Sequence, residues 1–325
     1  MGRRRGAGKH VVVLGATFTL VGITGQALAG AEWQVLVSRV VMGAGEAAVF
    51  SGALPWVWRQ FPPHRRGSAS GLFGLSMWSG LALGPLVASV ANLAGERAAW
   101  LLLAALGTGS LGFVLGCPSS GPVRLPPLRL RTLRVRGAAA PSLMFGLAAY
   151  GYGTLSAVLV LYLDSGPGGS VLGLPIFAGT FLLIRIAGSR VVDRVGGRTV
   201  AAASLIVEAL GFVVIVGTDS AAGALIGVAL VGGGCSLAFP AAVSVAISRS
   251  PRHAAGTAVA GMTSFWDLGI LTAGVGGGLL AMTFGHRAAF VGALVAAIVG
   301  LVVALSPYAT ERRSRMREDR RMRDE

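Results

Sequence analysis

Long apolar runs alternate with short polar segments along almost the whole chain. A helix of about 20 residues, at about 1.5 Å rise per residue, crosses the roughly 30 Å hydrocarbon layer of a bilayer. The runs are too long and too uniformly apolar for barrel strands, so we predict transmembrane helices. The pattern predicts ten spans, at about 11–30, 34–57, 68–92, 99–117, 141–163, 171–190, 199–217, 221–247, 256–283 and 288–306.

Composition supports the same interpretation. Of the 325 residues, 54% are hydrophobic and 13% are charged, and the mean hydropathy is +0.72. These values exclude a disordered chain, which needs low hydrophobicity and high charge. A soluble globule could not bury so much apolar surface, and the glycines follow no triplet period that would indicate collagen. The chain is predicted to be an all-α membrane protein.

The net charge of +15, taken alone, would suggest a nucleic-acid-binding protein. The distribution of the charge gives a different interpretation. With the N-terminus in the cytoplasm, 24 basic residues fall in cytoplasmic segments, and outside there are Arg97 and Arg287. This positive-inside asymmetry predicts an integral protein of the plasma (inner) membrane with both termini cytoplasmic. The lipid bilayer is therefore the expected partner of the basic segments, and nucleic acid is not.

A basic, proline-rich segment separates two groups of spans. Residues 118–140 hold four prolines and five arginines but no acidic residue, a composition typical of a linker. We predict an N-terminal bundle of four spans over 1–117, this cytoplasmic linker, a C-terminal bundle of six spans over 141–306 and a cytoplasmic tail over 307–325.

Small residues recur on one face of the third span. Gly71, Gly80, Gly84 and Pro85 are spaced so that another helix backbone can approach closely, and the proline bends the helix. The pattern resembles the antiporter motif of the major facilitator superfamily, G-x8-G-x3-G-P-x2-G-G, with Ala-Ser in place of the last two glycines. In that family the motif tends to mark exporters. Generic small-residue packing is the alternative interpretation.

The loop after the sixth span resembles a second signature of that superfamily, G-x-x-x-D-R-x-G-R-[RK]. The matching residues are Asp193, Arg194, Gly196 and Arg198, while Ser189 and Gly197 replace a glycine and an arginine. An acid here can accept hydrogen bonds from a helix N-terminus and from arginines, so we predict a cytoplasmic gate with Asp193 as a conformational latch. The alternative is an ordinary basic loop.

The resemblance covers essentially the whole chain but leaves a difference in span number. It implies twelve spans in two bundles of six, whereas we count four and six. The opening Gly2-Arg3-Arg4 matches the end of the first-half copy of the loop signature. We therefore expect that the first two spans are absent, either because translation starts upstream of Met1 or because the gene is a remnant.

Five ionisable residues lie within predicted spans. An ionisable side chain at a helix centre costs about 2.5–3.5 kcal/mol on insertion scales, so an acid near the midplane indicates a functional site. Glu46 and Asp267 are the main proton-coupling candidates, and Glu208 is a weaker one. Arg39 and Arg185 lie nearer the outer and inner faces, where their guanidinium groups can reach the interface. The alternative is that the acids hold fixed hydrogen bonds and exchange no proton.

Four aromatic residues lie deep in the spans, and we consider them candidates for lining a cavity. They are Trp78, Tyr150, Tyr152 and Trp266. Ordinary core packing is the alternative interpretation for all four.

Together these features predict a secondary transporter that exports small amphipathic molecules, driven by protons, through alternating access of two bundles. The sequence contains no Walker loop, HExxH motif or nucleophile elbow, so we expect no enzyme activity, catalytic residue, metal or cofactor. We expect a monomer whose partners are the substrate, protons and lipid. Two alternatives stay open: an importer of a sugar or organic acid with the same fold, and a truncated membrane remnant without transport.

Overall fold

The secondary structure of the described residues is entirely helical. The computed structural model describes residues 7–58, 60–62, 95–119, 139–188, 191–249 and 255–306, together with seven positions between 73 and 87. The helices in these ranges are α1 (Ala7–Leu28), α2 (Glu32–Trp58), α3 (Glu96–Gly116), α4 (Ala139–Ser165), α5 (Ser170–Ala187), α6 (Val191–Val195), α7 (Gly197–Gly217), α8 (Ala221–Arg249), α9 (Ala255–Phe284) and α10 (His286–Leu305). The predicted all-α class is confirmed.

Eight of these helices are long and apolar enough to cross a membrane, namely α1, α3, α4, α5, α7, α8, α9 and α10. The second predicted span forms α2, which carries Glu32, Arg39 and Glu46 and is not among the eight. The third, at 68–92, lies mostly outside the described residues, although its described positions are helical. The total of ten spans therefore stays a prediction.

Contacts divide the chain into two compact units, residues 1–127 and 128–325, and the division falls inside the predicted linker. In the first unit α1 packs against both α2 and α3. Glycine makes the crossing of α1 and α2 close, because a Cβ atom on Gly45 would lie 2.6 Å from the carbonyl oxygen of Gly15. The predicted boundaries of bundles, linker and tail stay predictions.

In the second unit α4 is the central helix, since it contacts α5, α8, α9 and α10. Its buried face includes Phe145, Leu155 and Leu159. Helix α7 packs against α8 and α10. This arrangement brings side chains from α4, α5, α7, α8 and α9 into one core. Four of the predicted functional residues, Tyr152, Arg185, Glu208 and Trp266, lie in or beside it.

Candidate functional site

Aromatic rings from four helices of the second unit form a connected cluster. Trp266 on α9 stacks on Phe145 of α4, with ring centroids 4.7 Å apart, and on Tyr152 of α4 at 5.7 Å. Tyr152 also contacts Phe177 of α5 at 5.5 Å, and Phe145 contacts Phe239 of α8 at 5.6 Å. These distances are typical of favourable aromatic pairs. We call these five residues the aromatic cluster.

The cluster has a buried part and an accessible edge. Phe145 and Phe177 are almost completely buried, whereas Tyr152, Phe239 and Trp266 are half-buried. Two of the half-buried residues, Tyr152 and Trp266, combine an aromatic ring with a polar group, which suits a ligand that has both apolar and polar parts.

The structure brings together two of the four predicted cavity residues, Tyr152 and Trp266. The side chain of Tyr150 lies against Gly276 of α9 instead: a Cβ atom built on Gly276 would be 3.1 Å from the Tyr150 hydroxyl. Two positions along a helix differ by about 200° in direction, so Tyr150 and Tyr152 occupy opposite faces of α4. Trp78 lies outside the described residues. The role of these residues in lining a cavity stays a prediction.

Three members of the aromatic cluster were not predicted from the sequence. Phe145 lies seven residues before Tyr152 and so on the same face of a helix, a spacing that could have identified it. Phe177 and Phe239 lie on other helices, and no local spacing relates them to Tyr152.

Arg185 of α5 lies at one end of the aromatic cluster. Its guanidinium carbon is 5.8 Å from the ring centroid of Phe239, a cation–π distance. Its Nη1 atom donates a hydrogen bond of 2.8 Å to the backbone oxygen of Ser236 on α8. The guanidinium group is thus held between α5 and α8.

Glu208 of α7 is fully buried, and within the described part of the chain neither of its carboxyl oxygens has a hydrogen-bond partner. Gly151 of α4 touches it so closely that a Cβ atom there would collide with Oε1. On the other side Gly234 of α8 packs against its backbone, and the buried thiol of Cys235 lies beside the carboxyl group. An unpartnered buried carboxyl is expensive, so this position carries a stronger functional signal than the sequence suggested.

The other predicted ionisable residues are more accessible. Asp267 follows Trp266 on α9 and is exposed, as is Glu46 near the middle of α2. Glu46 belongs to the first unit and Asp267 to the second, and their joint role in proton coupling stays a prediction. Arg39 lies with its guanidinium carbon 5.8 Å from the ring centroid of Trp100, within the first unit. This contact is consistent with a cation held beside an aromatic residue near a membrane interface.

The predicted gate loop forms the short helix α6 and the start of α7. Gly196 has a φ angle of 91°, a conformation that favours glycine, and Arg194 is exposed. Arg198 donates hydrogen bonds to the carbonyl oxygens of Ala304 (2.9 Å), Leu305 and Ser306 (3.1 Å) at the C-terminal end of α10. The side chain of Asp193 lies outside the described part, and its role as a latch stays a prediction.

The first unit contains a similar helix-end contact. Lys9 in the first turn of α1 donates to the carbonyl oxygens of Leu115 (2.7 Å) and Cys117, at the end of α3. In each unit, therefore, a basic residue near the start of one helix satisfies free carbonyl groups at the end of another.

The antiporter motif is only partly described. Gly71 and Pro85 lie outside the described residues, while Gly80 and Gly84 are helical. A Cβ atom on either glycine would meet no described heavy atom within 4 Å. The close helix contact expected at this motif stays a prediction.

Comparison with known proteins identifies relatives over most of the chain. The family model described as Major Facilitator Superfamily matches residues 1–188 and 141–323. An uncharacterized MFS-type transporter of Salmonella typhimurium is 33% identical over 276 residues, which cover 83% of this chain and 70% of the relative. One from Pseudomonas aeruginosa is 34% identical over 287 residues, covering 86% and 70%.

Solved structures show a similar fold. A bacterial homolog of the human lysosomal transporter Spinster has a TM-score of 0.68 at 13% identity, with 91% of this chain and 80% of that chain covered. The human organic anion transporter TETRAN has a TM-score of 0.69 at 16% identity, with 91% and 77% covered.

Proposed function

Because the chain belongs to the Major Facilitator Superfamily, we propose that it is a proton-coupled exporter of small amphipathic molecules that works by alternating access. Membership of this family supports secondary transport across a membrane. The members of this family are transporters and not enzymes in the usual sense. We also propose that the protein is a monomer in the plasma (inner) membrane, with both termini in the cytoplasm.

The aromatic cluster is the observation that carries the substrate class. Its accessible edge offers the rings of Tyr152, Phe239 and Trp266, which suit apolar, aromatic and cationic groups. Tyr152 and Trp266 also carry a hydroxyl and an indole N–H group, which can orient a ligand with a polar end. Such a surface discriminates weakly among ligands of similar size, as expected for amphipathic molecules of varied structure.

Export and proton coupling are supported by residues in both units. The spacing of Gly71, Gly80, Gly84 and Pro85 resembles the motif that tends to mark exporters. Glu46, Asp267 and Glu208 lie near the middle of their helices, where a carboxyl group can take up a proton and release it during a conformational change. Of the three, Glu208 has the most strongly desolvated carboxyl group.

Transport of an organic acid is the second candidate function. The observation that favours it is Arg185, a half-buried cation at one end of the aromatic cluster. The structurally similar TETRAN is described as an organic anion transporter, although the low identity shows only a common fold. Uptake or export of an anion would use the positive charge of Arg185 directly.

The two candidates are separated by transport into proteoliposomes that contain the purified full chain. Ethidium serves as a fluorescent amphipathic cation, and radiolabelled benzoate and glucose serve as an organic acid and a sugar. We expect a pH gradient to drive ethidium transport, and Trp266→Leu to weaken it about tenfold because a stacking surface is lost. The matched control is Phe284→Leu, an exposed aromatic residue at the end of the same helix.

Movement of benzoate or glucose without ethidium would contradict the export of amphipathic molecules and favour the second candidate or the importer. Equal effects of Trp266→Leu and Phe284→Leu would remove the aromatic cluster from the proposal.

A further inference from the structure

Helix α8 contains an internal proline that removes one of its backbone hydrogen bonds. Pro240 lies between Ala221 and Arg249 and has no N–H group to donate to the carbonyl oxygen of Ser236, four residues earlier. Ser236 is completely buried. In a membrane no water reaches such a carbonyl group, so another donor must satisfy it.

Arg185 supplies that donor from a neighbouring helix. Its Nη1 atom donates to the same Ser236 oxygen at 2.8 Å, across 51 positions of sequence. The hydroxyl group of Ser236 in turn donates to the carbonyl oxygen of Phe181 on α5, also at 2.8 Å. Ser236 thus accepts a hydrogen bond from α5 with its backbone oxygen and donates one to α5 with its hydroxyl group.

Small residues let the two helices come close enough for these bonds. A Cβ atom on Gly232 of α8 would lie 2.7 Å from the carbonyl oxygen of Phe177, and one on Gly188 after α5 would lie 2.8 Å from Leu237. The guanidinium group also faces the ring of Phe239, the residue directly before the proline. The contact between α5 and α8 is therefore centred on the point where Pro240 weakens α8.

We propose that Arg185 is a positioning residue that replaces the hydrogen bond withdrawn by Pro240 and holds α8 in one conformation at that point. Through this clamp it fixes Phe239 within the aromatic cluster. The importance of that position for substrate binding rests on the proposed function, whereas the clamp itself does not depend on what is transported.

A double-mutant cycle tests the clamp. Arg185→Gln should lower the thermal unfolding temperature of the purified full chain, because a buried carbonyl group loses its donor. Pro240→Ala restores a backbone N–H at position 240, so in that background Arg185→Gln should cost less than half as much. The matched control is Pro175→Ala, since Pro175 interrupts α5 itself but frees a different carbonyl group. In that background the effect of Arg185→Gln should be undiminished.

A spectroscopic measurement follows the conformation of α8 directly. Spin labels at the exposed positions Ala222 and Ser248, in a chain without its two native cysteines, would lie about 39 Å apart along a straight helix. We expect Arg185→Gln to broaden the distance distribution and Arg185→Gln with Pro240→Ala to narrow it again.

Equal losses of stability in all three backgrounds, or an unchanged distance distribution in Arg185→Gln, would overturn the proposal. If Arg185→Gln is too unstable to purify, recovery of folded protein decides instead. Adding Pro240→Ala to Arg185→Gln must restore the yield of folded protein, and adding Pro175→Ala must not. Neither measurement uses a substrate, so a failure of the clamp and a failure of the proposed transport activity are distinguishable.

Discussion

At the scale of single residues, Glu208 departs furthest from the rule that buried polar groups are hydrogen-bonded. Its carboxyl group is fully buried and has no hydrogen-bond partner among the described residues, although glycine at position 151 leaves room for it and the weakly polar thiol of Cys235 lies beside it. Replacing the acid with an apolar residue of similar size would give a conventional core. A feature that lowers stability without a structural benefit is typical of a functional position.

We therefore expect substitutions of Glu208 to separate stability from transport. Glu208→Met removes the buried polar group and should leave the free energy of unfolding unchanged or raise it by up to about 2 kcal/mol. Glu208→Gln keeps the shape but cannot release a proton, so transport driven by a pH gradient should be lost while downhill exchange persists. Thermal unfolding and proteoliposome assays measure the two effects.

Ser204→Ala, one turn earlier in α7 and also buried, is the control and should change neither property greatly. A strong loss of stability in Glu208→Met would show that the carboxyl group has a structural role. Persistent accumulation in Glu208→Gln would exclude it from proton coupling.

At the scale of helices, the ends of α3 and α10 show how basic residues stabilise each unit. The last carbonyl groups of a helix have no partner within it, and they carry the negative end of the helix dipole. Lys9 binds such groups at the end of α3, and Arg198 binds them at the end of α10. Both basic residues lie in the first turn of another helix, and the contact joins helices that are distant in sequence.

Arg198→Gln should release the end of α10. Charged hydrogen bonds contribute about 1.5–3 kcal/mol each in partly buried positions, and we expect a net loss of about 2 kcal/mol in the free energy of unfolding. Backbone amides in the last turn of α10 should exchange hydrogen faster in Arg198→Gln, which mass spectrometry can detect. Arg194→Gln changes an exposed arginine of the same loop and provides the control. Unchanged exchange in residues 300–306 would show that the contact contributes nothing.

At the scale of the whole molecule, the distribution of charge along the chain predicts its orientation in the membrane. Basic residues concentrate in alternate connecting segments, and only Arg97 and Arg287 fall in the others. Such an asymmetry fixes the orientation of helices during insertion, and a missed span would reverse it for every later segment.

Cysteine labelling from outside the cell tests this orientation. Asp164 at the end of α4 and Ser119 after α3 are both exposed and lie on opposite sides in the predicted topology. In a chain without Cys117 and Cys235, we expect a membrane-impermeant maleimide to label Asp164→Cys in intact cells and Ser119→Cys only after permeabilisation. Labelling of both positions from the same side would contradict the predicted topology.

The sequence by itself determined the all-α membrane class, the family and two of the five residues of the aromatic cluster. These depend on local properties, because lipid permits only helices of sufficient apolar length and because motif spacing can be read along one segment. Glu46, Asp267, Tyr152 and Trp266 were all identified in this way. Local reasoning places Glu46, Asp267 and Glu208 at similar depths in their spans, but it does not identify their neighbours.

Only the tertiary structure decided which of these residues meet. It buried Glu208 between α4, α7 and α8, paired Arg185 with the carbonyl group that Pro240 leaves free, and joined Arg198 to a helix end 106 residues away. Each contact depends on the rotation of a helix about its axis and on which helices are adjacent. In lipid an apolar helix has little amphipathic pattern to reveal its inward face, so that rotation is set by packing between helices and is not encoded in any single segment.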